Sequence, residues 1–292
     1  MLKKLGSMIS RKKQSLYYAA KEKDMPALRK EFLARNECGI KVQLLEREDL
    51  LSLTGIEAPG AILSQVAAQT DAYLFTHALH QASIQKGLQV YDRTPVLDIA
   101  HQKRSVKLKT GTGHSITAKK IVYATGYEVV ELIDKPFVKL HSTFSVASEP
   151  LVAHRPYWKN EMLIWNTANP YLYARATPEG RVIAGGRDVP FISPRKREQL
   201  IPMKTRQLTA DINKLFPDLD FIPEFSWTGT YGVTSDGLPF IGPYKKRPNG
   251  YFALGFGGNG ITFSLIAAEI LADIMTGRKN RDLSLFSFDR VP

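Results

Sequence analysis

Several features that define common protein classes are missing from this sequence. The 292 residues include a single cysteine, Cys38, so neither an internal disulfide nor a cluster of cysteine metal ligands can form within one chain. No run approaches the roughly 20 apolar residues that span a bilayer, and the basic N-terminus lacks an apolar segment of signal-peptide length. We therefore expect a cytoplasmic protein without a transmembrane segment, in which Cys38 packs as a small apolar residue.

Motifs of several enzyme classes are also missing. The sequence has no Walker loop, and Ser145, Ser148 and Ser235 lack the Gly-x-Ser-x-Gly elbow of α/β-hydrolases. His77 and His80 lie three residues apart on a predicted helix, but neither a Glu-x-x-His pattern nor further ligands accompany them. We therefore predict no metal site.

The sequence has fewer acidic than basic residues. The chain has 40 Lys and Arg against 28 Asp and Glu, and its net charge of +12 would attract nucleic acid, anionic lipid or an acidic small molecule. The basic residues are scattered apart from short groups such as 195–197 and 245–247, and no recognition helix, zinc finger or ribonucleoprotein motif accompanies them. Nucleic-acid binding is therefore the weakest function that we consider.

The most informative feature that is present is a glycine-dense loop at residues 253–261, which runs into an apolar helical pattern. Glycine lets the backbone approach a ligand closely, and a helix start offers unpaired N–H groups and a positive dipole end. Asn259 is a suitable N-cap, and Gly277 ends the pattern. The loop favours an anion or an electron-rich ring as ligand, although a tight strand-to-helix turn without a ligand gives the same pattern.

The order of the other motifs supports a ligand loop. Ile-Val-Tyr-Ala-Thr-Gly stands at 121–126, Trp-Thr-Gly at 227–229, an Asp-Gly-Leu-Pro-Phe-Ile-Gly-Pro segment within 234–243, and a short strand at 251–254. A helical pattern over 71–87 precedes them all. This order resembles the D-amino acid oxidase and glycine oxidase family of FAD-dependent oxidoreductases, and the resemblance covers nearly the whole chain.

The resemblance implies an α/β plus α+β fold, in which an incomplete Rossmann-like FAD domain is interleaved with a mostly antiparallel substrate domain. Residues 1–60 and 136–235 are the predicted substrate-domain parts, and residues 61–135 and 236–292 are the predicted FAD-domain parts. The family begins with a GxGxxG turn for the FAD pyrophosphate, whereas residues 1–16 are basic and contain no such turn. We therefore expect a chain that lacks the first portion of the fold.

Secondary structure is predicted from local patterns. The apolar run at 121–124 favours a strand that is buried on both faces, and residues 89–91 favour a further strand. One helix is predicted over about residues 194–216. Asp236 and Gly237 are expected to form a structural turn, with glycine supplying a positive φ.

The resemblance also implies which residues contact the cofactor. The loop before the last helix would lie against the flavin, with the helix dipole directed at the pyrimidine end of the ring. Thr262 would donate its hydroxyl to a ring carbonyl or bond its own backbone, and the sequence favours neither. The implied cofactor contacts are Gly258, Asn259, Gly260, Ile261 and Thr262 at the flavin, and Val96, Ala124, Thr125 and Gly126 at the adenosine.

On the substrate side the chain departs from glycine oxidase-like enzymes. Those enzymes carry an arginine in a Trp-x-Gly-x-Arg segment to clamp the substrate carboxylate, and this chain has Tyr231 there. A second arginine of some members is replaced by Gly258. Tyr231 and Arg175 are the candidate substrate-facing catalytic residues, Arg175 fits an exposed strand position equally well, and Tyr173 is a candidate for lining the same pocket.

These observations predict an FAD-dependent oxidoreductase of the D-amino acid oxidase-like class. It would transfer a hydride from a C–N bond of a small amine or amino acid to flavin and pass electrons to oxygen or another acceptor. The alternative is a non-catalytic remnant of the fold with weak or no FAD binding, because backbone contacts to the pyrophosphate would be missing.

Overall fold

The computed structural model describes residues 10–133, 137–151 and 158–290, and the chain divides into two compact units. Unit 1 comprises Met1–Val90 and Thr143–Gly229, and unit 2 comprises Tyr91–Ser142 and Thr230–Pro292. The units therefore alternate along the sequence. Residues 61–90, predicted as part of the FAD domain, group with unit 1; the assignment of cofactor and substrate roles to the parts stays a prediction.

Strands and helices are distributed over both units. The strands are β1 (Ser10–Tyr18), β2 (Val42–Glu46), β3 (Gly60–Thr70), β4 (Val96–His101), β5 (Val106–Thr110), β6 (Ser115–Ala118), β7 (Ile121–Tyr123), β8 (Lys139–Ser148), β9 (Leu163–Asn166), β10 (Leu172–Ala176), β11 (Val182–Pro190), β12 (Pro223–Val233), β13 (Phe240–Pro243) and β14 (Gly250–Leu254). The α-helices are α1 (Met25–Glu37), α2 (Arg47–Thr54), α3 (Ala72–Ile84), α4 (Pro194–Gln199), α5 (Ile201–Leu215), α6 (Gly260–Met275) and α7 (Leu283–Phe286).

Unit 1 is organised by an 8-stranded sheet in the order β12-β8-β11-β10-β9-β1-β3-β2. The pairs β1–β3, β2–β3, β9–β10 and β10–β11 are antiparallel, and β1–β9 is parallel. Helix α5 packs on β11 because Leu208 and Ile212, one turn apart, are fully buried. The core also contains Trp158 stacked on Phe216, with ring centroids 4.8 Å apart. The predicted mixed α/β class with a largely antiparallel sheet is confirmed.

Unit 2 holds two 3-stranded sheets, β13-β14-β7 and β4-β5-β6. β14 runs parallel to β7, with Phe252 opposite Tyr123, and β13 is antiparallel to β14. A hairpin joins β5 to β6, and Thr110 N–H donates to the His114 carbonyl across its turn at 2.9 Å. Helix α6 packs on β13 and buries Ala267 in a second apolar cluster. The sheet β13-β14-β7 and α6 together position the glycine loop.

Several predictions about local structure are wrong. Cys38 is exposed because it ends α1 at a turn that Gly39 continues with φ of 74°. Residues 89–91 form no strand. The helix predicted over 194–216 is two helices, α4 and α5, because Pro202 near the start of α5 has no N–H for a helix continuing from α4.

The prediction that β7 is buried on both faces is also wrong. Val122 is 41 % exposed, since β7 is the last strand of its sheet in the described part of the chain. Strand β3 was not predicted at all. It lies between β1 and β2 and buries five successive residues at its start, Gly60 to Ser64, so it shows no period-2 pattern there.

Within the described residues, none of the helices has both the length and the apolar composition needed to cross a membrane. Among the described residues there is also no group of three or more His, Cys, Asp or Glu side chains that could hold a metal ion.

Candidate functional site

The glycine loop between β14 and α6 lines a cavity of about 490 Å³ in unit 2. Gly255 and Gly257 have φ of 77° and 54°, left-handed values that favour glycine. A Cβ on Gly255 would lie 2.7 Å from the Thr234 methyl carbon. By contrast, a Cβ on Gly257 or Gly260 would meet nothing within 4 Å. The loop therefore packs against the unit at Gly255 and faces open space at Gly257 and Gly260.

Helix α6 begins directly after this loop and is 16 residues long. Asn259 is the N-cap residue, as the sequence predicts, but its side chain makes no capping hydrogen bond. The Asn259 carbonyl instead accepts from Phe263 N–H at 3.0 Å. The N–H groups of the first turn thus lie at the positive end of the helix dipole without a side-chain cap from Asn259. This arrangement can stabilise negative charge that develops on a ligand.

The described part of the cavity wall is uncharged. Four of its described residues carry a hydroxyl, Tyr127, Thr230, Tyr231 and Ser264, and none carries a carboxylate, an ammonium, a guanidinium or an imidazole. The described lining residues are Val122, Ala124, Gly126, Tyr127, Val138, Thr230, Tyr231, Gly232, Ala253, Leu254, Gly255, Phe256, Gly257, Ser264, Ala267, Ala268 and Leu271.

The structure brings only part of the predicted cofactor set to this cavity. Ala124 and Gly126 line it, together with Gly255 and Gly257 of the loop, which were not on the predicted list. The sequence signal that could have identified them is the glycine at each position of the loop, since glycine is the residue that adopts a positive φ most readily. The predicted positions outside the lining are Val96, Thr125, Gly258, Asn259, Gly260, Ile261 and Thr262.

Tyr231 lines the cavity near the end of β12, next to Gly232. Its ring lies 5.9 Å from the ring of His141, measured between centroids and tilted by 31°. His141 is not a lining residue, and its Nδ1 is buried without a hydrogen-bond partner among the described residues. A Cβ on Gly232 would lie 2.4 Å from Val138 Cγ1. The backbone beside Tyr231 therefore packs closely against Val138, the residue directly before β8.

Arg175 lies on β10 in unit 1 and does not line this cavity. It is half-buried and not an exposed strand residue, and burial lowers its pKa, against the opposing effects of Asp71 and Glu179. Tyr173 on the same strand shares a hydrogen bond with Ser145, with 2.9 Å between the two hydroxyl oxygens. Tyr173 likewise does not line this cavity.

The predicted turn at Asp236 is present and tightly held. Asp236 Oδ1 accepts from Leu238 N–H at 3.1 Å, and Gly237 has φ of 74°. Arg290 donates from Nε to Asp236 Oδ2 at 2.7 Å and holds the pKa of that carboxyl well below its usual range. The turn has the structural role that the sequence predicts.

An uncharged cavity walled by a glycine backbone at a helix start is a site suited to a flat, electron-rich group of a redox cofactor. The sequence matches the family described as DAO: FAD dependent oxidoreductase over residues 2–274. The chain belongs to this family.

Individual relatives agree with the family. A probable oxidoreductase OrdL of Haemophilus influenzae is 24% identical over 224 residues, which are 73% of this chain and 48% of the relative. A glycine oxidase of Geobacillus kaustophilus is 26% identical over 252 residues, 86% of this chain and 64% of the relative. The chain thus spans about half to two thirds of the length of these curated relatives.

Solved structures share the fold. The crystal structure of the Geobacillus kaustophilus glycine oxidase has a TM-score of 0.84 at 22% identity and covers 100% of this chain and 80% of its own. An L-proline dehydrogenase from P. horikoshii has a TM-score of 0.83 at 18% identity and covers 99% and 80%. At these identities the likeness shows the fold alone.

The residues of unit 2 fit the ring portion of FAD. Gly257 leaves open space where a side chain would otherwise stand, and the adjoining described wall is uncharged and largely apolar. None of the described lining residues provides a cation for the diphosphate. The fit therefore extends to the ring and not to the charged bridge of the cofactor.

Proposed function

We propose that this protein is an FAD-dependent oxidoreductase that removes a hydride from a C–N bond of a small amine or amino acid. The main observation in support of the proposal is the glycine loop at the start of α6. The backbone of this loop forms part of the wall of a cavity whose described lining is uncharged. Membership of the FAD-dependent family supports it, as do relatives named glycine oxidase and D-amino acid dehydrogenase. The proposal assigns the cofactor to unit 2.

In this proposal the backbone of the glycine loop holds the flat ring. Gly255 and Gly257 form part of the wall. The contacts predicted from Gly258 to Thr262 lie outside the lining and would require the ring to extend to the first turn of α6. Ala124 and Gly126 extend the same wall. Bound FAD supplies the acceptor for a hydride and its two electrons.

The uncharged wall also prepares the substrate nitrogen. An amine moved from water into this cavity loses the solvation of its ammonium form, so its pKa falls and the neutral form is favoured. The nitrogen lone pair then forms the C=N bond as the C–H bond breaks and its electron pair leaves with the hydride. Water hydrolyses the resulting imine to a carbonyl compound and an amine. Tyr231, which lines the cavity, remains a proposed substrate-facing residue, whereas Arg175 lies in unit 1 outside the cavity wall and has no part in this step.

A titration of the purified chain with FAD tests this function. We expect bound FAD with an absorbance band at about 450 nm, and Gly255→Ala to weaken FAD binding by about tenfold or more, because the new Cβ collides with Thr234 and φ is left-handed. Gly113→Ala is the matched control, since Gly113 has a left-handed φ of 84°, its Cβ would meet nothing within 4 Å, and it does not line the cavity. A chain that takes up no FAD would refute the proposal.

A second candidate is a protein of the same fold without turnover. The observation that favours it is the lack of a cation for the diphosphate among the described lining residues. Losing charged contacts to the diphosphate weakens the cofactor's binding. The same titration separates the two candidates, because this one predicts a colourless chain that stays colourless in added FAD.

A further inference from the structure

We infer that unit 1 holds a second ligand site, which binds a small zwitterion with one carboxylate and one ammonium group, such as a free amino acid. The site is a cavity of about 560 Å³ in unit 1, and its described lining residues do not overlap with those of the cavity in unit 2. The inference goes beyond the proposed function and does not depend on FAD.

The cavity lies where two parallel strands end. β1 and β9 run parallel with Tyr18 opposite Asn166, and these last residues of the two strands both line the cavity. Ligands commonly bind at the carboxyl ends of parallel strands. The side chain of Asn166 donates to the Tyr18 hydroxyl at 3.0 Å and accepts from Leu172 N–H at 2.9 Å. This part of the wall is therefore held in place by its own hydrogen bonds.

Arg187 reaches the cavity through a local distortion of β11. Side chains alternate between the two faces of a regular strand. Ala184 packs in the core cluster that includes α5, and Gly185 lies against the ring of Tyr173 on the other face. Regular alternation would therefore place Arg187 on the same face as Gly185, away from α5. Gly186 and Arg187 instead have φ of 127° and 56°, and the Arg187 side chain lies on the α5 side.

The distortion places a guanidinium and a carboxylate side by side in the cavity wall. Arg187 donates from Nε to Asp211 Oδ2 at 2.7 Å and from Nη2 to Oδ1 at 2.5 Å, and the Lys204 ammonium donates to the Arg187 carbonyl at 2.8 Å. A left-handed conformation is unfavourable for a residue with a Cβ, and such strain is found mainly at functional sites. Core packing does not require it here, because the Arg187 and Asp211 side chains are 39% and 24% exposed.

The described wall carries two positive and two negative side chains. Lys214 and Glu57 line the cavity together with the Arg187–Asp211 pair, and neither has an ion-pair partner among the described residues. A ligand with a single charge would leave the wall charge of the same sign without a partner. A zwitterion provides a partner for both signs, with its carboxylate at the basic groups and its ammonium at the acidic groups.

The rest of the wall suits a ligand with an apolar side chain. Leu51, Pro170, Leu215 and Pro217 line the same cavity. Ligand pockets typically combine such apolar surface with a few polar groups that fix the orientation of the ligand. An amino acid with a small apolar side chain therefore matches the wall better than one with a charged side chain.

Three ligands that differ only in their charged groups test this inference. Cycloleucine is a zwitterion without a hydrogen on its α-carbon, so it cannot lose a hydride to flavin. Cyclopentanecarboxylate carries only the negative charge, and 1-methylcyclopentylamine carries only the positive charge. In calorimetric titrations of the full chain at neutral pH, we expect cycloleucine to bind about tenfold or more tightly than either analogue. Undetectable binding of cycloleucine, or binding no tighter than that of an analogue, would overturn the inference.

Substitutions of the two exposed charges assign the binding to this cavity. Lys214→Gln and Glu57→Gln should each weaken cycloleucine binding about threefold or more, because each removes one ion pair with the ligand. Arg206→Gln on α5 and Glu48→Gln on α2 are the matched controls, since both residues are exposed and outside the lining, and they should leave the affinity unchanged. Cycloleucine binding that neither lining variant weakens would lie elsewhere and would contradict the inference.

Arg187→Gly tests the strained residue itself. Glycine adopts a left-handed φ readily, so the variant should fold, while its cycloleucine affinity should fall about tenfold or more with the loss of the guanidinium. Circular dichroism checks the fold. If the variant does not fold, Asp211→Asn removes the carboxylate of the same pair and should weaken binding similarly. A folded variant of either kind with wild-type affinity would show that the Arg187–Asp211 pair does not bind the ligand, and the inference would fail.

Discussion

Arg290 has the densest set of polar contacts around the turn at Asp236. Its guanidinium donates to both carboxylate oxygens of Asp236, at 2.7 and 3.1 Å, and to the carbonyls of Leu238 and Pro239 at 2.6 and 3.0 Å. It also lies 3.7 Å from the ring centroid of Phe240. A single side chain thus ties the end of the chain to the segment before β13.

We predict that Asp236→Asn lowers the free energy of unfolding by about 1 kcal/mol at neutral pH, a small value because the Asp236 side chain is 36% exposed and water screens the pair. Arg290 lowers the pKa of Asp236 in the folded protein. The stabilisation is therefore present above about pH 4, the ordinary pKa of an unfolded aspartate, and is lost as the pH falls toward the folded-state pKa.

Urea unfolding of the wild type and the variant at neutral pH and at about pH 3 checks this prediction. The difference between them should shrink on acidification. Asp92→Asn is the matched control, because Asp92 is itself highly exposed, pairs with the highly exposed Arg93 and should contribute nothing measurable. An Asp236→Asn difference that stays the same at both pH values would contradict the assignment.

The sequence predicts this turn but not its anchor. Asp and Gly at successive positions carry local turn chemistry, and Gly237 indeed has φ of 74°. Arg290 is 54 residues away and reaches the turn only through the tertiary fold. The candidate site is likewise only partly predictable from the sequence. The glycine loop is recognisable as a local pattern, whereas Val138, directly before β8, and Tyr127, after β7, reach the cavity only through the tertiary fold.

At the scale of elements, α3 is exceptional among the described α-helices of more than six residues, because none of its residues is buried. Tyr73 and Leu74 are 71 % and 53 % exposed. Asp71 caps the helix by accepting from Leu74 N–H at 2.9 Å. The sequence predicts this helix from apolar spacing and its cap, but spacing does not reveal whether an apolar face is packed against a partner.

We predict that the backbone amides of α3 exchange with solvent at least tenfold faster than those of α5, because an isolated helix of about 12–15 residues is marginal in water. Helix α5 provides the comparison, since it is of similar length and buries Leu208 and Ile212 completely. Hydrogen exchange followed by mass spectrometry measures both helices in one sample. Equal protection of the amides of α3 and α5 from exchange would contradict the prediction. It would mean that α3 is stabilised by contacts that the solvent exposure of its side chains does not reveal.

The elements that the sequence misses have a common physical cause. Strand β3 is flanked by β1 and β2, and its first five residues are buried without alternation, so its pattern does not separate strand from helix. The helical spacing continues across the boundary between α4 and α5, and only the proline at position 202 marks the break. Val122 is exposed because of the sheet order, which no local pattern contains.

At the scale of the whole molecule, the two units have separate apolar cores. Leu16, Phe144 and Ile164 belong to one cluster in unit 1, and Phe240 and Phe252 belong to another in unit 2. Stability therefore does not depend on one continuous interior. The net charge of +12, in contrast, is a property of the whole chain and acts at long range.

This charge leads to the last prediction. We expect the protein to retain duplex DNA weakly at about 50 mM salt and to lose at least a hundredfold in affinity by about 200 mM, because counterion release is the source of such binding. The affinity should not depend on base sequence, and heparin should compete equally well, since no recognition motif accompanies the scattered basic residues. Fluorescence anisotropy with two unrelated duplexes over a salt series measures the affinity and its dependence on salt and on base sequence. Tight binding to one duplex that persists at the higher salt would show that nucleic acid is a specific partner. Nucleic-acid binding, the function that the sequence favours least, would then have to be considered again.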